Sequence, residues 1–130
     1  MTELELFLSM PDVSEVTDTV YLKLGENTVT FTVKPITSEQ FKEYQRRAQR
    51  KSGNTIMVDQ GKISQCILEN HIVDPDFSDA KFLAKAQCPT AYDFLVRKIP
   101  AGLLQDIVDK VLNISGFNQD INIDIDNAKN

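Results

Sequence analysis

The sequence predicts an α+β fold: an N-terminal antiparallel β-hairpin packed against a bundle of about four to five helices, with a flexible acidic C-terminal tail. Three observations lead there. Two consecutive runs alternate apolar and polar residues, several later stretches space their apolar residues as helices do, and the composition changes abruptly after Phe117. The reading places one globular unit over residues 1–117 and the tail over 118–130.

In the first run Val20, Leu22 and Leu24 alternate with Thr19, Tyr21 and Lys23; in the second, Val29, Phe31 and Val33 alternate with threonines. Gly25-Glu26-Asn27 lies between them, and glycine and asparagine tolerate the positive φ of a tight connection. Two strands alone are marginal, so the Val/Leu/Phe face needs a cover, and the following helices are the candidates. Pro35 ends the second strand. Thr37 with Gln40 forms a capping-box pattern before a helix from Ser38 to about Lys51, with Phe41, Tyr44 and Ala48 inward. Its other face carries Lys42, Arg46, Arg47, Arg50 and Lys51, and cations suit the negative end of a helix dipole.

Lys51-Ser52-Gly53-Asn54 is a break, and Ile56-Met57-Val58 is too short to assign. A second helix is expected from Asp59 to about Asn70, with Ile63, Cys66 and Ile67 on one stripe and Leu68 beside it. After Asp74-Pro75-Asp76, Ser78 is the expected cap of a short helix containing Phe82 and Leu83. A helix carrying Tyr92, Phe94, Leu95, Val96 and Ile99 comes next. The strongest stripe follows Pro100: Leu103, Leu104, Ile107, Val108, Val111 and Leu112 repeat at i, i+1, i+4 until Gly116 terminates the helix. Phe117 is then placed to pack back on the last turn. Beyond it Ile121, Ile123 and Ile125 alternate with Asn122, Asp124 and Asp126, but aspartate and asparagine are poor strand residues, so a mobile acidic tail is expected.

Composition narrows the function classes. Net charge −5 disfavours a protein built to grip a phosphate backbone. The basic group on the first helix therefore reads as a solvated face or a protein-docking patch, with no nucleic acid partner. Glu3 and Glu5 stand where a signal peptide needs positive charge, and no stretch approaches the ~18 apolar residues of a membrane span. Neither export nor membrane insertion is expected. Cys66 and Cys88, without a secretory context, read as free thiols in a reducing cytoplasm.

Catalysis requires convergent titratable groups, and these are sparse. His71 is the single histidine; on a helix Cys66 would point about 140° away from it, poor geometry for a thiolate and its base. The ordinary reading is a structural histidine. Asp74 and Asp76 lack the ligand spacing and glycine of a calcium loop, and the tail aspartates lack the closing glutamate. The glycines are isolated, so no phosphate-binding loop is present. No catalytic residue, metal site or cofactor is assigned.

In order along the chain, Glu3-Leu4-Glu5-Leu6-Phe7-Leu8, Phe31-Thr32-Val33-Lys34-Pro35-Ile36-Thr37 with the basic helix after it, and Cys66 to Phe77 (CILENHIVDPDF) carry one resemblance. It continues through Phe94-Leu95, Pro100-Ala101-Gly102, Ile114-Ser115-Gly116-Phe117-Asn118 and Ala128-Lys129-Asn130. These segments resemble the XkdN-like tail assembly chaperones of tailed phages. The resemblance implies a chaperone in the host cell cytoplasm that holds the tape measure protein soluble and extended while tail-tube subunits assemble. Its implied partners are the tape measure protein, the tail tube protein, a longer frameshifted product of the same gene, and further copies of the chain. Ala128-Lys129-Asn130 can be encoded as GCA AAA AAC, which contains a slippery A AAA AAC run. Another phage structural protein, a tail completion or connector component, is the alternative. Candidate partner-binding residues are Phe7 and Leu8, which precede the expected core, and Leu104, Val108 and Leu112 at the edge of the last stripe.

Overall fold

The computed structural model describes residues 2–117; the expected tail lies outside them. The strands β1 (Asp18–Leu24) and β2 (Asn27–Val33) pair antiparallel, with Val20 opposite Phe31 and Leu22 opposite Val29. Gly25, at φ +63°, opens the two-residue loop between them. Period two thus sets the buried face: Val20, Leu22, Phe31 and Val33 point into the core while Tyr21 stays exposed. A short strand that the sequence does not announce, β5 (Ile72–Asp74), extends the sheet in the order β1-β2-β5.

Before the sheet lies an unexpected helix, α1 (Glu3–Ser9), followed by a 3-10 turn at Val13–Glu15. With it the described residues hold six α-helices, against the four to five expected. Helix α2 (Ser38–Ala48) starts with the full capping box: Thr37 Oγ1 accepts from Gln40 N–H at 3.2 Å and Gln40 Oε1 accepts from Thr37 N–H at 3.0 Å. Thr37→Ala is expected to lower the unfolding free energy by about 1 kcal/mol, read from a urea titration. No measurable loss would show that the box is dispensable.

Helix α2 ends at Ala48, not near Lys51, because Gln49–Ser52 (β3) satisfies its backbone against Thr55–Val58 (β4) around Gly53 at φ +64°. Arg50 and Lys51 are therefore strand residues. Asp59 caps α3 (Gln60–Asn70), which buries Ile63, Cys66, Ile67 and Leu68. Helix α4 (Ala80–Ala86) is capped by Asp79, whose carboxylate accepts from Phe82 N–H at 3.1 Å. Ser78, the expected cap, instead donates its backbone N–H to Asp76 within the preceding turn.

Thr90 caps α5 (Ala91–Lys98), and α6 (Ala101–Ile114) closes the core over β1 and α3 with Ile107, Val108 and Val111 buried. At its end Phe117 N–H reaches Leu112 O and Gly116 N–H reaches Asn113 O, each at 3.0 Å, with Gly116 at φ +90°. These are the paired bonds of a Schellman motif. The Phe117 ring rests on Phe41 of α2 at 4.8 Å. Ser115 Oγ, which accepts from Ile36 N–H at 2.8 Å, ties the same end to the start of α2. Phe77, Phe82 and Phe94 form an aromatic cluster that joins α4 and α5 to Phe31 of the sheet.

Candidate docking surfaces

His71 lies immediately after α3, fully buried, where it joins three segments. Its Nδ1 is 3.2 Å from Lys34 O, which can only accept, so Nδ1 carries the proton. Nε2 is then free to accept from Tyr44 O–H at 2.8 Å. Burial holds the imidazole's pKa down at about 4, and burial also pushes the Tyr44 phenol upward, so both stay neutral. With every polar atom of the pair matched, this is a structural joint. Cys66 is buried and Cys88 half-buried, both free thiols. Among the described residues no group of three His, Cys, Asp or Glu side chains could hold a metal ion.

The apolar surface is more informative. Thr2 Oγ1 accepts from Glu5 N–H and starts α1, and Glu3 and Glu5 suit the positive end of its dipole. Leu4, Phe7 and Leu8 follow at i, i+3 and i+4, so they share one side of the helix. They remain 78%, 68% and 86% exposed, and α1 buries no residue at all. No packing in the core accounts for this stripe, which stands outside it.

Leu104, Val108 and Leu112 stand at i, i+4 and i+8 on α6 and form one line. At one end, a recess of about 350 Å³ is lined by Leu68, Tyr92, Val96, Ile99, Leu104 and Val108. The other end opens on a recess of about 330 Å³ lined by Phe41, Ile63, Ile67, Val108, Leu112 and Phe117. Ser64, Gln105 and Val108 line both, so the two join as a groove between α3 and α6. Val108 is its floor and is buried; Leu104 and Leu112 are half-buried walls. The five candidate residues therefore fall on two surfaces, Phe7 and Leu8 on α1 and the other three along the groove.

The basic residues divide. Arg46 and Arg47 both bind the Glu43 carboxylate, at 2.6 Å and 3.0 Å, and their hydrogen bonds hold its pKa down at about 2. Arg50 lies 3.6 Å from Asp59, while Lys51 makes no ion pair among the described residues. Arg50 and Lys51 belong to a surface that sequence reasoning missed: every residue of β3 and β4 is exposed, including Ile56, Met57 and Val58. Its signal was Gly53-Asn54 between two four-residue runs, a two-residue hairpin loop.

Among the described residues no helix is long and apolar enough to cross a membrane. No curated protein matches the sequence. The fold is similar to the crystal structure of the protein yqbN, solved by a structural genomics consortium, with a TM-score of 0.61 and 18% identity. The match covers 91% of this chain and 99% of that one. Over residues 4–129 the sequence matches the phage XkdN-like tail assembly chaperone (TAC) family, and the chain belongs to that family.

Proposed function

We propose that this chain binds the tape measure protein and keeps it soluble in the host cytoplasm while tail-tube subunits assemble. The observation that carries the reading is the Leu4/Phe7/Leu8 stripe, an apolar surface held outside the core of a family member with a tail assembly role. Leu104, Val108 and Leu112 supply a second contact, a groove into which a client helix lays its apolar face. The candidate additional partners are the tail tube protein, further copies of the chain and a longer frameshifted product.

Co-expression with the tape measure protein of the same phage is the test. Both proteins are expected in the soluble fraction and in one complex, and the client alone is expected in the pellet. A client that precipitates equally with and without this chain overturns the proposal. The frameshift has its own check, since the codons of Ala128-Lys129-Asn130 must read through A AAA AAC with an overlapping downstream frame.

A further inference from the structure

We propose that two copies of this chain exchange their α1 helices, the Leu4/Phe7/Leu8 stripe of each lying in the α3–α6 groove of the other. Helix α1 needs a surface to lie on. Seven residues are too few to hold a helix together alone in water, and α1 buries none of its own.

The groove is the matching concave surface. From Leu104 to Leu112 it runs about 12 Å along α6, and α1 is about 10 Å long. The two also agree in polarity. No charged side chain lines either recess of the groove. The stripe carries no charge either, because Glu3 and Glu5 turn away on the two sides of Leu4.

The connector selects a second copy over the same molecule. Pro11 has a fixed φ and keeps Met10 extended, at φ −73° and ψ 144°, and Asp12 follows at φ −65° and ψ 150°. These are polyproline II angles, so Met10-Pro11-Asp12 is a stiff strut of about 9 Å. Its far end is rooted in the body, where Val13 and Val16 share a recess with Ile36, Ser38 and Ile114. Ser38 is one turn before Phe41, which lines the groove. The strut thus holds α1 out beside the Leu112 end of the groove, and no α1 residue lines the groove of its own chain. A two-fold axis near that end lets the two arms cross. Reciprocal exchange then leaves no stripe and no groove open, whereas a head-to-tail chain leaves one of each. Both apolar surfaces stay covered until a client displaces them. The exchange itself requires no client, so its test is separate from the tape measure reading.

Sedimentation velocity on the isolated full chain is that test. A dimer that dissociates on dilution is expected. F7D with L8D, which breaks the stripe, is expected to raise the dimer Kd about a hundredfold or more. Q105W, which fills the groove from an exposed position on α6, and S64W, which fills it from α3, are expected to be monomeric where the wild type is dimeric. Mixed one to one, F7D/L8D and Q105W are expected to form a heterodimer, because one still offers a groove and the other a stripe. A wild type that is monomeric at every concentration overturns the proposal, since α1 then has no second copy to lie on. An F7D/L8D dimer as tight as the wild type overturns it, as does a mixture no more associated than its two components.

Discussion

Replacing His71 by leucine is expected to lower the unfolding free energy by about 3 kcal/mol at pH 7 and to flatten its decline between pH 6.5 and 4. The first effect comes from the two groups left behind. Tyr44 O–H and Lys34 O lose their shared partner in the core, at about 1–3 kcal/mol for each unsatisfied buried group. The second follows from linkage. Folding lowers the His71 pKa from 6.5 to about 4, so in that interval the unfolded chain takes up a proton that the folded chain refuses. The stabilisation is complete above pH 6.5 and disappears as the pH falls towards 4, a change of about 3 kcal/mol. Wild type and His71→Leu should therefore converge near pH 4 in urea titrations. Parallel curves would show that another group titrates there. Glu43 is separable, because its stabilisation is complete above its ordinary 4.5 and is lost only as the pH falls towards about 2.

The other large effect is on binding. Phe7→Asp with Leu8→Asp is expected to weaken the complex with the tape measure protein more than a hundredfold. Burying each side chain against a client is worth about 1.5–3 kcal/mol, and about 1.4 kcal/mol corresponds to a factor of ten. Both residues are exposed in the free chain, so its own stability should change by no more than about 0.5 kcal/mol. Undiminished co-purification of the double variant would remove α1 from the contact surface. Leu104→Asp makes a contrasting case: Leu104 packs against the core from the groove wall, so that variant should lose stability as well as binding.

These expectations show which parts of the molecule the sequence made legible. The hairpin was readable because one face is buried, which forces Val20, Leu22, Phe31 and Val33 into strict alternation. The starts of α2 and α3 and the end of α6 were readable through local chemistry, in Thr37 with Gln40, Asp59 and Gly116. By contrast, β5 has only three residues, too few for a period, and it exists because β2 offers an edge. The wrong end for α2 has a related cause. Gln49 to Lys51 are compatible with a helix, and their pairing with β4 decides otherwise. The candidate site was legible as a list of apolar residues but not as two surfaces. Helical spacing aligned Leu104, Val108 and Leu112, yet only the packing of α3 beside α6 makes Val108 a floor and its neighbours walls. The aromatic cluster of Phe77, Phe82 and Phe94 unites residues with no common period, so no pattern announced it.

The bond from Ile36 N–H to Ser115 Oγ has a consequence for the timing of synthesis. Its ends are 79 residues apart. A ribosome adding roughly 5–20 residues per second takes several seconds to travel between them. Throughout that interval the Val20/Leu22/Phe31/Val33 face waits for α6, the last of the described elements to leave the exit tunnel. Until then the nascent chain is itself an aggregation-prone polypeptide, in need of the protection that it is proposed to give its client.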